Sequence, residues 1–178
     1  MKTLIIYSSH DGQTQKIAQF LAQRIEHCHV MPVMAELPIS EFDRIVIGAS
    51  VRYGHFDRNL YKMIEHYSAV LAEKSTAFFG VNLTARKSGK DTPETNVYVR
   101  KFLQRINWQP NLTAVFAGAL RYPRYSFFDR IMIQFIMKIT GGETDSTKDI
   151  EYTDWQKVTE FVQQIQQLNI SQSIKDEM

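Results

Sequence analysis

Thr3-Leu4-Ile5-Ile6-Tyr7-Ser8-Ser9-His10-Asp11-Gly12-Gln13-Thr14 decides how this 178-residue chain is read. Its first six residues form an apolar run of the length and type of a buried parallel strand. A turn of small and polar residues follows. Residues 13–26 then carry Ile17, Phe20, Leu21 and Ile25 on one helical face. Strand, short turn and helix open a βαβ unit, and the remaining chain repeats the alternation. Residues 29–34, 44–49, 76–83 and 112–120 read as further strands, and 59–72 as a helix with Leu60, Ile64, Tyr67 and Leu71 aligned. A helix holding Val97, Phe102 and Ile106 is expected to start at Pro93 with Thr92 as its cap. Thr153 and Gln156 have the spacing of a capping box ahead of a last helix built on Trp155, Val158, Val162, Ile165 and Leu168. Helical crossovers between apolar strands imply a parallel sheet covered on both faces. The expected fold is α/β, a doubly wound five-stranded sheet of order 2-1-3-4-5 over residues 1–170, with a polar tail at 171–178. An insert at about 121–147, between strand five and the last helix, breaks the alternation.

Composition narrows the class. With 44% hydrophobic and 22% charged residues, the chain is ordinary globular protein rather than disordered. A single cysteine, Cys28, excludes a disulfide framework or zinc cluster, and no metal site is expected. A reducing cytosolic compartment fits that usage. The apolar start at Leu4 to Tyr7 is too short for a signal peptide, and no apolar run reaches the ~18 residues of a membrane-spanning helix. The net charge of +2 hides a block: residues 84–140 carry ten basic groups against three acidic ones. Such a block suits an anionic partner, whether lipid headgroups, a carboxylated substrate, a phosphate or nucleic acid, or else balances the acidic tail.

Ligands of open parallel sheets sit beyond the carboxyl ends of the strands, where strand order reverses, and strand one lies beside that point. A helix N-terminus there offers unpaired N–H groups and the positive end of its dipole to a phosphate. Gly12 permits close backbone approach, and Ser9 and Thr14 supply hydroxyls, while His10, Asp11 and Gln13 complete the loop. The rival phosphate loops are absent: the chain has neither G-x-x-x-x-G-K-[ST] nor G-x-G-x-x-G. Strand three ends Gly48-Ala49-Ser50, without the aspartate of a phospho-receiver. On spacing alone, an ordinary Ser/Gly turn remains open.

Ser9-His10-Asp11-Gly12-Gln13-Thr14 resembles the FMN-phosphate motif T/S-x-T-G-x-T of flavodoxins, with Asp11 where the family has threonine. A carboxylate beside a phosphate is unfavourable, so Asp11 is expected to turn away and cap the helix. The flavodoxin topology brings two further loops to the cofactor. In Ser50-Val51-Arg52-Tyr53-Gly54-His55, Tyr53 would stack on the flavin, Gly54 would let the backbone approach, and Arg52 or His55 would offset charge on reduced flavin. Asn82-Leu83-Thr84-Ala85-Arg86 would line the other side, with Arg86 and Lys87 at the rim. A packing aromatic is the competing reading of Tyr53, and a surface histidine that of His55.

The resemblance extends to a narrower family, the bacterial flavodoxin-like protoporphyrinogen dehydrogenases. It rests on Asp11 to Thr14, Gly48 to His55, Val81 to Lys87, Ala117 to Tyr125, Gly141 to Asp145 and Tyr152 to Trp155, nearly the whole chain. Arg121-Tyr122-Pro123-Arg124-Tyr125 and Gly141-Gly142-Glu143-Thr144-Asp145 are its most specific stretches. The resemblance implies FMN as cofactor, protoporphyrinogen IX as substrate, and oxidation to protoporphyrin IX in three two-electron steps. It also implies a membrane quinone (ubiquinone or menaquinone) as acceptor, a place in haem biosynthesis, and peripheral attachment to the cytoplasmic face of the inner membrane. Nucleic acid is not among the implied partners, and a homo-oligomer stays open. Tyr53 and His55 are the candidates for catalytic proton handling. Three alternatives stand beside it. Electron-carrier flavodoxins are usually strongly acidic, an NAD(P)H:quinone reductase needs a nicotinamide site that no motif marks, and a flavin-free binding module would be colourless.

In the insert, Phe127, Phe128, Ile131, Met132, Phe135, Ile136 and Ile139 make a broad apolar face flanked by Arg121, Arg124, Arg130 and Lys138. As a helix, residues 127–139 would span about 20 Å, short of a bilayer core. Arg121, Tyr122, Arg124, Tyr125, Phe127, Phe128 and Arg130 are therefore the candidates to meet substrate or membrane surface. A helix buried on the sheet or at a dimer contact is the competing reading. If the insert serves only membrane and substrate, deleting 121–140 should abolish quinone-coupled activity and spare FMN binding.

Overall fold

Leu4 and Ile6 point to one face of a parallel sheet and Ile5 to the other, as the two-residue period of a strand requires, and all three are wholly buried. In the computed structural model, which describes residues 1–176 and side chains as far as 168, they belong to β1 (Thr3–Ser8). The chain continues through α1 (Gln13–Ala22), β2 (Cys28–Pro32), β3 (Arg44–Ser50), α2 (Arg58–Ala72), β4 (Ser75–Asn82), α3 (Val97–Arg105) and β5 (Leu112–Ala117). β6 (Ala119–Arg121), α4 (Phe127–Thr140), β7 (Asp149–Glu151) and α5 (Trp155–Asp176) complete it. The expected polar tail at 171–178 falls outside the described side chains, and 177–178 outside the described backbone.

The five-stranded sheet has the order β2-β1-β3-β4-β5 with every pairing parallel, which makes this the flavodoxin fold. α2 and α3 cover one face through Leu60, Ile64, Val99 and Phe102. α1 and α5 cover the other through Ile17, Leu21, Val158 and Phe161. Each such side chain contributes about 1.5–3 kcal/mol by leaving water. The carboxyl ends of β1, β3 and β4 therefore open together at one edge of a rigid platform.

Strand five is shorter than its apolar run predicts. The parallel pairing ends with the bond from the Gly118 N–H to the Asn82 carbonyl (3.2 Å), because the Gly118 carbonyl turns out of the sheet to accept from Tyr152 N–H (3.0 Å). The chain then leaves the sheet as β6, paired antiparallel with β7, and the insert lies between those two strands. Two caps also differ from the sequence reading. α3 begins at Val97, because Asn96 accepts the Val99 N–H (3.3 Å) while Thr92 and Thr95 close a turn of their own. α5 is entered through Asp154, which accepts the Gln156 N–H at 3.0 Å, because Thr153 is engaged elsewhere: its hydroxyl donates to the Ala117 carbonyl at 2.6 Å. α1 ends at Ala22, four residues before the end of the helical pattern.

α4 is capped at both ends. Ser126 accepts the Asp129 N–H (3.2 Å), and Gly141 adopts φ 74° while Gly142 N–H returns to the Met137 carbonyl (2.7 Å). The helix stands on a small core of its own, in which Ile133 and Met137 pack with Leu120, Tyr122 and Tyr125.

Candidate functional site

The loop from β1 to α1 is built to leave donors free. Gly12 takes the cap position of α1 at φ 97°, a left-handed conformation that a side chain would strain. Ser9 Oγ accepts the Gly12 N–H at 3.0 Å. Thr14 is wholly buried, yet its hydroxyl has no partner. A buried hydroxyl without a bond costs about 1–3 kcal/mol, and this one sits in the first turn of α1, where a helix has free N–H groups.

Asp11 does not cap α1, contrary to the sequence expectation: Gly12 fills the cap position and no side chain accepts there. Its carboxylate instead accepts from the Tyr125 hydroxyl (3.4 Å), and its carbonyl accepts from Arg124 Nη1 (3.0 Å). Gln13 is buried, and its side chain is spent on structure. Nε2 donates to Thr153 Oγ1 at 2.9 Å and Oε1 accepts from Arg121 Nη2 at 2.7 Å. Only its backbone remains for a ligand. His10 Nδ1 meets Ser50 Oγ at 2.9 Å and so joins this loop to the end of β3. Burial, and after it the Arg52 charge, lower the His10 pKa below the usual histidine value.

The loop after β3 is a tight turn. Arg52 and His55 exchange N–H···O bonds of 2.9 and 3.1 Å, with Tyr53 (φ 52°) and Gly54 (φ 80°) both left-handed between them. This is the pattern of a type I′ turn, and glycine takes its second centre without strain. Tyr53 pays for the first, and its hydroxyl donates to the Asp129 carboxylate on α4. Burial and the Asp129 carboxylate raise the Tyr53 pKa, so the phenol stays protonated. Bonding to Tyr53 lowers that of Asp129. Arg52 Nη1 lies 3.6 Å from the same carboxylate, and its guanidinium stands 5.3 Å from the Tyr125 ring centre. Burial raises the Tyr125 hydroxyl to a pKa of about 12.

In the loop after β4, the Asn82 side chain accepts the Ala85 N–H (3.0 Å) and pairs with Asn96, which fixes the backbone of Leu83 and Thr84. Arg86 is anchored on the Leu83 carbonyl (2.7 Å) and reaches the Thr140 hydroxyl of α4 (3.4 Å).

These loops enclose a cleft of about 490 Å³. Asp11, Gln13, Ser50, Val51, Arg52, Tyr53, Gly54, Asn82, Leu83, Thr84 and Arg86 line it, so residues of all three expected loops meet, while Ser9, His10, Gly12 and Thr14 of the first loop lie off its lining. Ala85 faces a neighbouring polar depression instead. Of the two catalytic candidates Tyr53 borders the cleft and His55 does not. Sequence reasoning missed Tyr98, Gly118 and Ala119, whose only signal was proximity to a strand end or helix start. The fourth side is closed by the insert through Met132, Ile133, Ile136 and Met137, which belong to the apolar face the sequence pattern assigns to residues 127–139.

The substrate or membrane candidates divide. Tyr125 lines the cleft. Tyr122 faces neither solvent nor cleft: it is wholly buried, with its hydroxyl donating to the Glu143 carbonyl at 2.6 Å, and anchors the insert. Arg121 is bound to Asp149, Glu151 and Gln13, tying the insert's stem to α1 and β7. Arg124 lies on the β1–α1 loop. Arg130 is half-buried on α4, with its Nε unpartnered. Phe127 and Phe128 are 77% and 72% exposed, and with Ile131, Phe135 and Ile139 they form an outward stripe.

Comparison with known proteins agrees with this arrangement. Residues 4–147 match the model of the flavodoxin domain family. A protoporphyrinogen IX dehydrogenase (quinone) of Escherichia coli (strain K12) is 45% identical over 181 positions, covering 98% of this chain and 100% of that protein. One from Leishmania major is 47% identical over 167 positions, covering 90% of this chain and 72% of that protein. Flavodoxin domain, sheet order and near-full-length identity together place the chain in the family of the quinone-linked protoporphyrinogen IX dehydrogenases.

Proposed function

We propose that the chain oxidises protoporphyrinogen IX to protoporphyrin IX with FMN as resident cofactor, passes the electrons to a membrane quinone, and works from the cytoplasmic face of the inner membrane. The residues fit an FMN phosphate: the Thr14 hydroxyl is buried without a partner, and Gly12 opens the helix end beside it. Bound FMN would supply two-electron acceptance from carbon–hydrogen bonds, which no side chain can offer.

The observation that carries the reading is the double use of α4. One side, Met132, Ile133, Ile136 and Met137, walls the cleft and keeps water from an apolar macrocycle. The other side presents Phe127, Phe128, Ile131, Phe135 and Ile139 outward. At 14 residues, α4 is about 21 Å long and cannot cross a bilayer. It suits a helix lying in the interface, next to a lipid-dissolved quinone. Arg86 and Lys87 on the cleft supply cations for the substrate's propionates. No histidine lines the cleft among the described residues, and Tyr53 is held as a hydrogen-bond donor.

Anaerobic mixing tests the reading. Protoporphyrinogen should bleach the flavin absorbance of the purified protein, and quinone should restore it. Reduction by NADPH with no response to protoporphyrinogen would instead favour a nicotinamide-driven quinone reductase.

A further inference from the structure

The insert does more than wall the cleft, because its stem is built onto the β1–α1 loop. The turn at 122–124 is rigid: Tyr125 N–H bonds the Tyr122 carbonyl (3.2 Å), and buried Tyr122 is pinned to Glu143. This turn delivers the Arg124 guanidinium to Gly12. Nη1 donates to the Asp11 carbonyl at 3.0 Å and would stand 3.2 Å from a Cβ placed on Gly12.

The charges around this loop are otherwise committed. Lys16 pairs with Glu151, Arg121 with Asp149 and Glu151, and Arg52 with Asp129. Among the described residues Arg124 has no carboxylate within ion-pair distance. The Asp11 carboxylate, the one anion on the loop, is held by Tyr125, the neighbour of Arg124 in sequence. The stem thus draws the negative group aside and places an unpaired cation over the glycine, beside a helix start that carries an orphaned buried hydroxyl.

We propose that Arg124 is a phosphate-site residue: its guanidinium neutralises the FMN phosphate held by the β1–α1 loop, so the insert forms part of the cofactor site. The proposal rests on the FMN reading above. It reassigns Arg124 from substrate or membrane to cofactor, and it reverses the sequence expectation that removing 121–140 would spare FMN binding. Arg124 touches only the phosphate end, so its contribution depends on the phosphate and not on the flavin ring.

Riboflavin, which has the ring and ribityl chain but no phosphate, separates these cases. Apoprotein is titrated with FMN and with riboflavin by quenching of flavin fluorescence, for the native chain, Arg124→Ala and Arg124→Lys. Arg124→Ala should weaken FMN about tenfold, as loss of one charge-assisted contact to an exposed anion does, and change riboflavin less than about twofold. Arg124→Lys should fall between, and added salt should weaken FMN binding to the native chain more than to Arg124→Ala. Equal losses for the two flavins would overturn the proposal by making Arg124 a prop for the loop. Unchanged FMN affinity in both variants would overturn it as well. Failure of the native chain to bind either flavin would instead remove the FMN reading on which it stands.

Discussion

Tyr53 gives its hydroxyl to the Asp129 carboxylate, and this bond ties the turn after β3 to the first turn of α4. The two residues lie 76 positions apart, and they join the platform to the insert across the mouth of the cleft. Both are exposed enough for water to compete, so the bond is a modest one. Tyr53→Phe should therefore leave the fold intact and loosen the start of α4. Amide exchange at residues 130–133 should quicken about threefold to fivefold by mass spectrometry. Unchanged exchange there would mean that the small core beneath α4 holds the helix without the bond.

Thr14→Val offers opposite signs for folding and for binding. The substitution removes a buried hydroxyl that has no partner in the free protein. Apoprotein stability should rise by about 1 kcal/mol in urea unfolding, and FMN affinity should fall about tenfold. A stability loss would show that the hydroxyl is satisfied before the ligand arrives.

His10 makes the loop sensitive to acid. Its folded pKa lies below the reference 6.5 through burial and Arg52, so the unfolded chain takes up the proton first. The stability tied to neutral His10 is present above about pH 6.5 and is lost as pH falls through the folded value. The urea midpoint should drop less between about pH 7.5 and pH 5 in His10→Gln than in the native chain. An equal drop would assign the acid sensitivity to other groups.

The outward stripe of α4 predicts membrane behaviour. Phe127→Asp with Phe135→Asp changes residues 77% and 60% exposed, so folding should be unaffected. Flotation with anionic vesicles should fall about a hundredfold, because two phenyl rings no longer leave water. Turnover with a water-soluble acceptor should stay within about twofold. Undiminished flotation would move the membrane contact elsewhere.

The platform was legible because its information is local. The apolar strands and the spacing of Ile17, Leu21, Leu60 and Ile64 give each element its period, and the crossovers leave few arrangements of five strands. The three loops followed, since strand ends are set once strands are. What escaped the sequence is long-range pairing. Arg124 and Asp11 are 113 positions apart, and no pattern in Arg-Tyr-Pro-Arg-Tyr says which side chain turns inward. Tyr122 and Tyr125 look like surface aromatics beside arginines, yet both are buried because the insert needs a core of its own. Thr153 has the spacing of a cap but holds the Ala117 carbonyl, a role created only when β5 ends early.

On the proposed function, one chain joins a porphyrinogen to a lipid-borne quinone. The direct measurement is anaerobic turnover with protoporphyrinogen and quinone-loaded vesicles, following protoporphyrin by fluorescence and quinol by extraction. About three quinols should form for each protoporphyrin, one for each two-electron step, and that coupled rate should be lost when Phe127 and Phe135 are both replaced by Asp. Protoporphyrin formed at the same rate without quinone, or quinol formed without porphyrinogen, would contradict it.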